Sequence, residues 1–301
     1  MKIVITGSNG FVGKNLGLHF KNFKGFEVKF LNVRIPFSAD DITNSDVLIH
    51  LAGKAHDLKK TSSDDEYFRV NTDLTRRLFD LFLKSKVKDF IYFSSVKAVA
   101  DTVDGELTED IEPRPITAYG QSKLLAERYL LSKILPEGKR LFILRPCMIH
   151  GPGNKGNLNL LYKVVEKGVP YPLAAYHNQR SFLSIANLNY IIERLITDGT
   201  ISSDVFNVAD DEALATNEVI KVISLANRSK PRLWKISKVL VNSLAKVGDL
   251  LHLPLNTERL QKLTESYVVS NAKIKAALGI NKLPLTVKDG LTVTIKSFSA
   301  K

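Results

Sequence analysis

The chain has 301 residues, of which 44% are hydrophobic, a formal net charge of +12 and a single cysteine, Cys147. That length suits one large α/β domain or a domain with a smaller lobe, with apolar residues enough for a sizeable core. One cysteine excludes an internal disulfide and a thiolate metal cluster, and no apolar run is long enough to span a bilayer.

The opening run Met1-Lys-Ile-Val-Ile-Thr6 lacks the pattern of a secretory signal, so a cytoplasmic protein without membrane insertion is expected. Its lysines are spread through Lys84–Lys88, Lys155–Lys167 and Lys221–Lys246, which reads as a solvated basic surface. No nucleic-acid motif accompanies them, and nucleic acid is not an expected partner.

Residues 2–6 predict a short apolar strand that closes on Gly7-Ser-Asn-Gly10-Phe11-Val12-Gly13 and opens an amphipathic helix. Gly7 permits a tight turn, Gly10 a close approach to a pyrophosphate, and Gly13 close helix packing. A helix N-terminus there offers unpaired N–H donors to phosphates. A second strand, Val28–Leu31, ends at Asn32 and Arg34 with no carboxylate. An acidic residue at that point would take a ribose 2′-hydroxyl, whereas an arginine accommodates a 2′-phosphate. NADP(H) is therefore the favoured cofactor, with NAD(H) as the alternative.

Further strands are predicted at Asp46–Ala52, Asp89–Ser94 and Arg140–Arg145, with helical segments at Asp65–Lys84 and Tyr119–Leu135 between them. Apolar strands alternating with helices predict an α/β fold with a doubly wound, Rossmann-type parallel sheet. After Pro146 the alternation weakens. A loop at Gly151–Gly156 precedes a helix near Leu158–Lys167, a strand at Val205–Val208, a helix after Thr216, and helical segments at Lys235–Leu251 and Thr257–Glu265. Residues 1–150 are thus expected to form the dinucleotide-binding domain. Residues 151–301 are expected to form a smaller C-terminal substrate-binding lobe interleaved with the last strands of the sheet.

Tyr119 and Lys123 stand one helical turn apart and share a face. An ammonium beside a phenol favours the phenolate and lowers its pKa from about 10, giving an acid–base pair usable near neutral pH.

The ordered set of motifs resembles the extended short-chain dehydrogenase/reductases, in the branch that modifies nucleotide sugars. Gly7–Gly13 has the glycine spacing of that family, and Asp41-Ile42 resembles its adenine-contacting pair. His50-Leu51-Ala52-Gly53 is similar to the segment that lines the cofactor, and Asn71 falls on the asparagine of an Asn-x-x-x-Thr helix pattern ending at Thr75. Ser94-Ser95, Tyr119-x-x-x-Lys123 and Arg145-Pro146 follow in order. The resemblance implies that Ser95 bonds the C4 oxygen of a UDP-sugar and Tyr119 exchanges its proton. Lys123 would hold the nicotinamide ribose, with Pro146 beside the cofactor. It implies that Lys97, beside Ser95, and in the lobe Asn157, Leu158, Arg180 and, more weakly, Arg259 bind substrate, with Arg180 clamping the diphosphate. Ser181 and Asn187 replace aspartates of the family pattern, which puts loop anchoring there in doubt. His150 stands in place of a tyrosine and reads as pocket wall; no metal is expected.

Sugar dehydratases of this branch carry an Asp-Glu pair after the active-site serine or threonine, but here Val96-Lys97 follow Ser95. Epimerisation at C3 or C5 needs a further acid–base residue that Val96 cannot supply. What remains is hydride chemistry at C4. The favoured reaction is reduction of a UDP-4-keto-6-deoxy-HexNAc for capsule or O-antigen precursors. The alternatives are UDP-sugar 4-epimerisation and a catalytically silent NAD(P)-binding regulator. The resemblance also implies a homodimer formed through the helices at Asp65–Lys84 and Tyr119–Leu135.

Overall fold

The computed structural model describes residues 1–54, 63–154, 156–251 and 256–299. Its strands are β1 (Lys2–Thr6), β2 (Glu27–Leu31), β3 (Val47–His50), β4 (Asp89–Phe93), β5 (Glu106–Leu107), β6 (Arg140–Pro146), β7 (Met148–His150), β8 (Phe182–Ser184), β9 (Asp204–Val208) and β10 (Val268–Val269). Six of them form one parallel sheet in the order β2-β1-β3-β4-β6-β9. β3 and β4 are buried along their whole length, because helices cover both faces of the sheet.

One face packs under helices Phe11–Lys21 and Ile185–Thr197, with Leu16, Phe20, Leu188, Ile191 and Leu195 in the shared core. The other carries Leu78, Phe79 and Phe82 from helix Leu74–Lys84, and Ala126 and Leu130 from helix Ala118–Leu131. In this strand order the direction of winding reverses between β1 and β3. Such a switch point opens a crevice at the carboxyl ends of the strands, where open α/β sheets bind their ligands. Among the described residues no strand lies beyond β2; the chain returns from it to β3 through a short helix, Asp40–Thr43.

The second half leaves and rejoins this frame. β7 pairs with β8, and β9 then adds to the open edge of β6. β10 pairs with β5 across 162 residues of sequence, Val268 opposite Glu106. Two smaller apolar clusters build the lobe, one around Leu158, Phe182, Val219 and Leu291, the other around Leu173, Val241 and Leu260. No helix among the described residues is long and apolar enough to cross a membrane.

Candidate active site

The glycine turn sits at the switch point. Gly7 has φ +72°, and a Cβ there would lie 2.7 Å from the Ala52 backbone nitrogen. A Cβ on Gly13 would lie 2.4 Å from the Gly7 carbonyl oxygen. Only glycine lets the turn, the helix and the end of β3 meet this closely. Gly10 caps helix Phe11–Lys21 with no side-chain partner, and the Thr6 hydroxyl accepts a hydrogen bond from Ala52 N at 3.1 Å. The cradle therefore fits a dinucleotide pyrophosphate.

At the end of β2, Asn32 Oδ1 accepts from Arg34 N at 3.1 Å, which turns the chain so that Arg34 is exposed. Asp41 holds the following turn through Ser38 N at 2.9 Å. Ile42 is fully buried in the core under the sheet, so only the Asp41 side of that pair faces outward. Pro146 is buried at the end of β6, where it pairs with Val208.

Ser95 follows β4 in an extended conformation, and its hydroxyl accepts from Lys97 N at 3.2 Å. The Tyr119 side chain hydrogen-bonds that of Ser95 and meets the Tyr67 ring edge-on at 6.2 Å. Lys123 extends beneath them and donates from Nζ to Phe93 O at 2.8 Å. Three groups from two elements, the turn after β4 and helix Ala118–Leu131, are thus gathered at one end of the sheet.

The electrostatics correct one sequence expectation. Burial pushes the Tyr119 phenol above its ordinary 10.0, and the Ser95 hydrogen bond only partly opposes this. Burial also lowers Lys123 from 10.5 to about 8, with the Glu127 carboxylate opposing the shift. Desolvation disfavours whichever form is charged, so tyrosine and lysine are both driven towards neutrality. Before any ligand binds, Tyr119 is a protonated phenol.

Asn71 lies in a π-helical stretch, Phe68–Asp73, which aims it at this site. Its amide accepts from Lys54 N at 2.7 Å and donates to Ser122 Oγ at 3.0 Å, while Thr72 Oγ1 donates to Ser122 O at 2.8 Å. A Cβ on Gly53 would lie 2.9 Å from Asn71 Oδ1 and 3.1 Å from Lys123 Nζ, so Leu51–Gly53, Asn71 and Lys123 converge.

The sequence reading missed Glu127. It lies one turn beyond Lys123 on the same face, and that spacing was the available signal. The structure pairs it with Arg145, Nη2 to Oε2 at 2.5 Å, and it also accepts from the Ser94 hydroxyl. All three residues are buried. His50 likewise joins Thr6 Oγ1 at 2.8 Å to Thr75 Oγ1 at 3.0 Å. Burial and the nearby Lys123 ammonium lower its pKa to about 3, so it is neutral.

Beyond Ser95, Lys97 Nζ donates to Asp101 O at 2.7 Å and lies 4.1 Å over the Tyr267 ring; burial lowers its pKa, and Asp101 and Glu265 oppose the shift. Arg180 reaches the Lys262 carbonyl, Glu265 O at 3.3 Å and the Glu265 carboxylate at 3.6 Å. Its fork closes the end of helix Thr257–Thr264 in this state. Arg259 lies exposed in the first turn of that helix. Leu158 is buried in the lobe core, and the Asn157 side chain lies outside the described residues.

His150 is not pocket wall: it is fully buried, with Nδ1 2.8 Å from Thr294 Oγ1. The doubted anchors hold by other donors and acceptors. Ser181 Oγ accepts from Val269 N at 3.0 Å, and Asn187 brackets Leu285 through bonds of 2.9 and 3.0 Å.

A model of the NAD dependent epimerase/dehydratase family matches residues 3–209. The UDP-glucose 4-epimerase of Vibrio cholerae is 31% identical, over 98% of this chain and 95% of its own. The N-acetyl-alpha-D-glucosaminyl-diphospho-ditrans,octacis-undecaprenol 4-epimerase of Escherichia coli O157:H7 is 26% identical, over 91% and 84%. Among solved structures, the UDP-N-acetylglucosamine 4-epimerase of Bacillus cereus shares the fold. It has a TM-score of 0.77 at 21% identity, covering 100% of this chain and 98% of that one.

Proposed function

The chain belongs to the NAD dependent epimerase/dehydratase family, and from that premise we propose that it reduces a UDP-4-keto-6-deoxy-HexNAc at C4 with NADP(H). The observation that carries this reading is the end of β2. There Arg34 is exposed and Asn32–Pro36 contains no carboxylate, an arrangement suited to a 2′-phosphate and to an exchangeable cofactor. The Gly7–Gly13 turn, Leu51–Gly53, Asn71 and Lys123 would hold that cofactor, which supplies the hydride when bound. Ser95 holds the C4 oxygen against Tyr119. The phenol, kept protonated by burial, gives its proton to that oxygen as the carbonyl becomes an alcohol. Val96 and Lys97 leave no carboxylate beside Ser95 for elimination of water.

One observation favours a second reading, UDP-sugar 4-epimerisation: the 31% identity to a UDP-glucose 4-epimerase along nearly the whole chain. Incubation with UDP-GlcNAc, and separately with the 4-keto-6-deoxy sugar plus NADPH, distinguishes the two. The expected result is NADPH oxidation with the keto sugar. Formation of UDP-GalNAc without net cofactor oxidation would overturn it, and cofactor binding with no sugar conversion would leave a silent regulator. Arg34→Gln should weaken NADPH binding about 10- to 100-fold, the worth of a charge-assisted hydrogen bond, and leave NADH binding unchanged.

The same reading places the protein in the cytoplasm and pairs two copies through the helices of residues 64–84 and 118–131. Leu125 and Leu131 supply exposed apolar side chains on the second of these. A solution mass of one chain would remove the pairing.

A further inference from the structure

Helix Lys238–Leu251 buries a narrow face, Val241, Ala245 and Gly248, against the lobe cluster of Leu173 and Leu260. A helix on a protein surface ordinarily turns polar residues outward. Here Val239, Leu240, Leu244, Val247, Leu250 and Leu251 are each between 48% and 79% exposed. At 3.6 residues per turn they cover the arc opposite the buried stripe, interrupted only by Ser243. Other helices of the described chain expose large apolar side chains singly or in pairs, as with Leu160 and Val164.

The surroundings are basic. From Arg228 to Leu251 the chain has six basic residues, Arg228, Lys230, Arg232, Lys235, Lys238 and Lys246, against one acidic residue, Asp249, which is engaged by Thr257. All six basic residues are exposed. Trp234 stands among them, 58% exposed, its backbone fixed by bonds to Tyr171 O at 2.9 Å and from Ala174 N at 3.2 Å. The scattered basic surface expected from sequence is, over this segment, joined to an apolar one.

We propose that the face formed by Arg228–Leu251 docks on the surface of an anionic lipid bilayer, lying in its plane without crossing it. Aliphatic side chains flanked by lysines and a tryptophan match the boundary between acyl chains and charged headgroups. A second copy of the chain fits this face less well, because a two-fold contact would set the six cations against their equivalents. Nucleic acid would leave the aliphatic centre without a partner.

Docking of this kind orients the substrate lobe. Helix Thr257–Thr264 packs on the exposed helix through Leu260, and Arg180 holds its carboxyl end through the Lys262 and Glu265 carbonyls. Arg180, the candidate diphosphate clamp, is therefore one layer of helix from the proposed lipid surface.

The test uses the full chain, sedimented with vesicles of equimolar phosphatidylglycerol and phosphatidylcholine and with phosphatidylcholine vesicles alone. The protein should pellet with the anionic vesicles, and added salt should weaken that binding. Leu244→Ser/Leu250→Ser should lower partitioning at least about tenfold. Lys230→Glu/Lys235→Glu should lower it about twentyfold or more. Both variants should keep the wild-type melting temperature and turnover on soluble substrate. Wild-type protein that stays in the supernatant, or apolar variants that pellet like wild type, would overturn the proposal. So would a dimer abolished by Leu244→Ser, which gives the face to a second copy, or retention on DNA abolished by Lys230→Glu/Lys235→Glu. None of these outcomes depends on which sugar is reduced.

Discussion

Two regions depart in opposite directions from the usual distribution of polar and apolar groups. Behind the active site, Lys123, Glu127 and Arg145 place three ionisable side chains within the core. On the lobe, helix Lys238–Leu251 places six aliphatic side chains in solvent. Exposed apolar residues scattered singly need no explanation, but a buried charge cluster and a contiguous apolar face do. Inside, the charges are matched by partners in the chain, with Glu127 taking Arg145 and Ser94 while Lys123 takes a main-chain carbonyl. Outside, nothing in the chain covers the aliphatic face among the described residues. The first region finds its partners within the chain, and the second, as proposed, finds its partner in a lipid surface.

The sharpest way to separate the two is chemical. Tyr119→Phe should lower turnover about 10²- to 10⁴-fold, the usual worth of a positioned proton donor, with cofactor affinity and vesicle binding unchanged. Retained turnover in steady-state assays would remove Tyr119 from the reaction. Next in size is Glu127→Gln, which leaves Arg145 buried without its counter-charge. Denaturant melts should show a loss of about 3–5 kcal/mol, and a loss under 1 kcal/mol would mean the buried pair is not what holds this region.

Lys123 gives a pH signature. Its folded pKa of about 8 lies below the ordinary 10.5, so between those values the unfolded chain binds a proton that the folded chain has released. Stability from this group therefore rises with pH through that window, by roughly 2–4 kcal/mol. Lys123→Met should flatten the difference, and parallel wild-type and variant curves from pH 8 to 10.5 would contradict it. The smallest effect is expected outside. Leu244→Ser should change fold stability by less than about 0.5 kcal/mol, since the side chain has little of the fold to lose. A loss of several kcal/mol in the same melts would show that the face is covered by the chain itself.

What was legible in the sequence was what neighbouring residues encode. Gly7, Gly10 and Gly13 mark a turn because backbone space is a local demand, and the central strands Lys2–Thr6, Val47–His50, Asp89–Phe93 and Arg140–Pro146 announce themselves by apolar runs. The Tyr119–Lys123 spacing placed both on one helix face. The direction of the Tyr119 shift was not legible, because the burial that raises it comes from packing around Ser95 and Tyr67. Arg180 shows the same limit: the carbonyls it holds lie 82 and 85 residues away. In helix Lys238–Leu251 the sequence shows a helix of mixed charge, with Lys238, Asn242, Lys246 and Asp249 along one side and aliphatic residues around the rest. Which side is buried is settled by Leu173 and Leu260, distant in the chain.

The pairing of β5 with β10 bears on how the enzyme is made. The Tyr267 hydroxyl, next to β10, donates to Ala100 O at 2.7 Å and to Val96 O at 3.3 Å, so the loop that carries Ser95 is buttressed by residues translated some 170 positions later. While the chain is still on the ribosome, the serine loop cannot receive its last support. A nascent or truncated chain that stops short of Tyr267 thus lacks a long-range brace of the loop that carries Ser95.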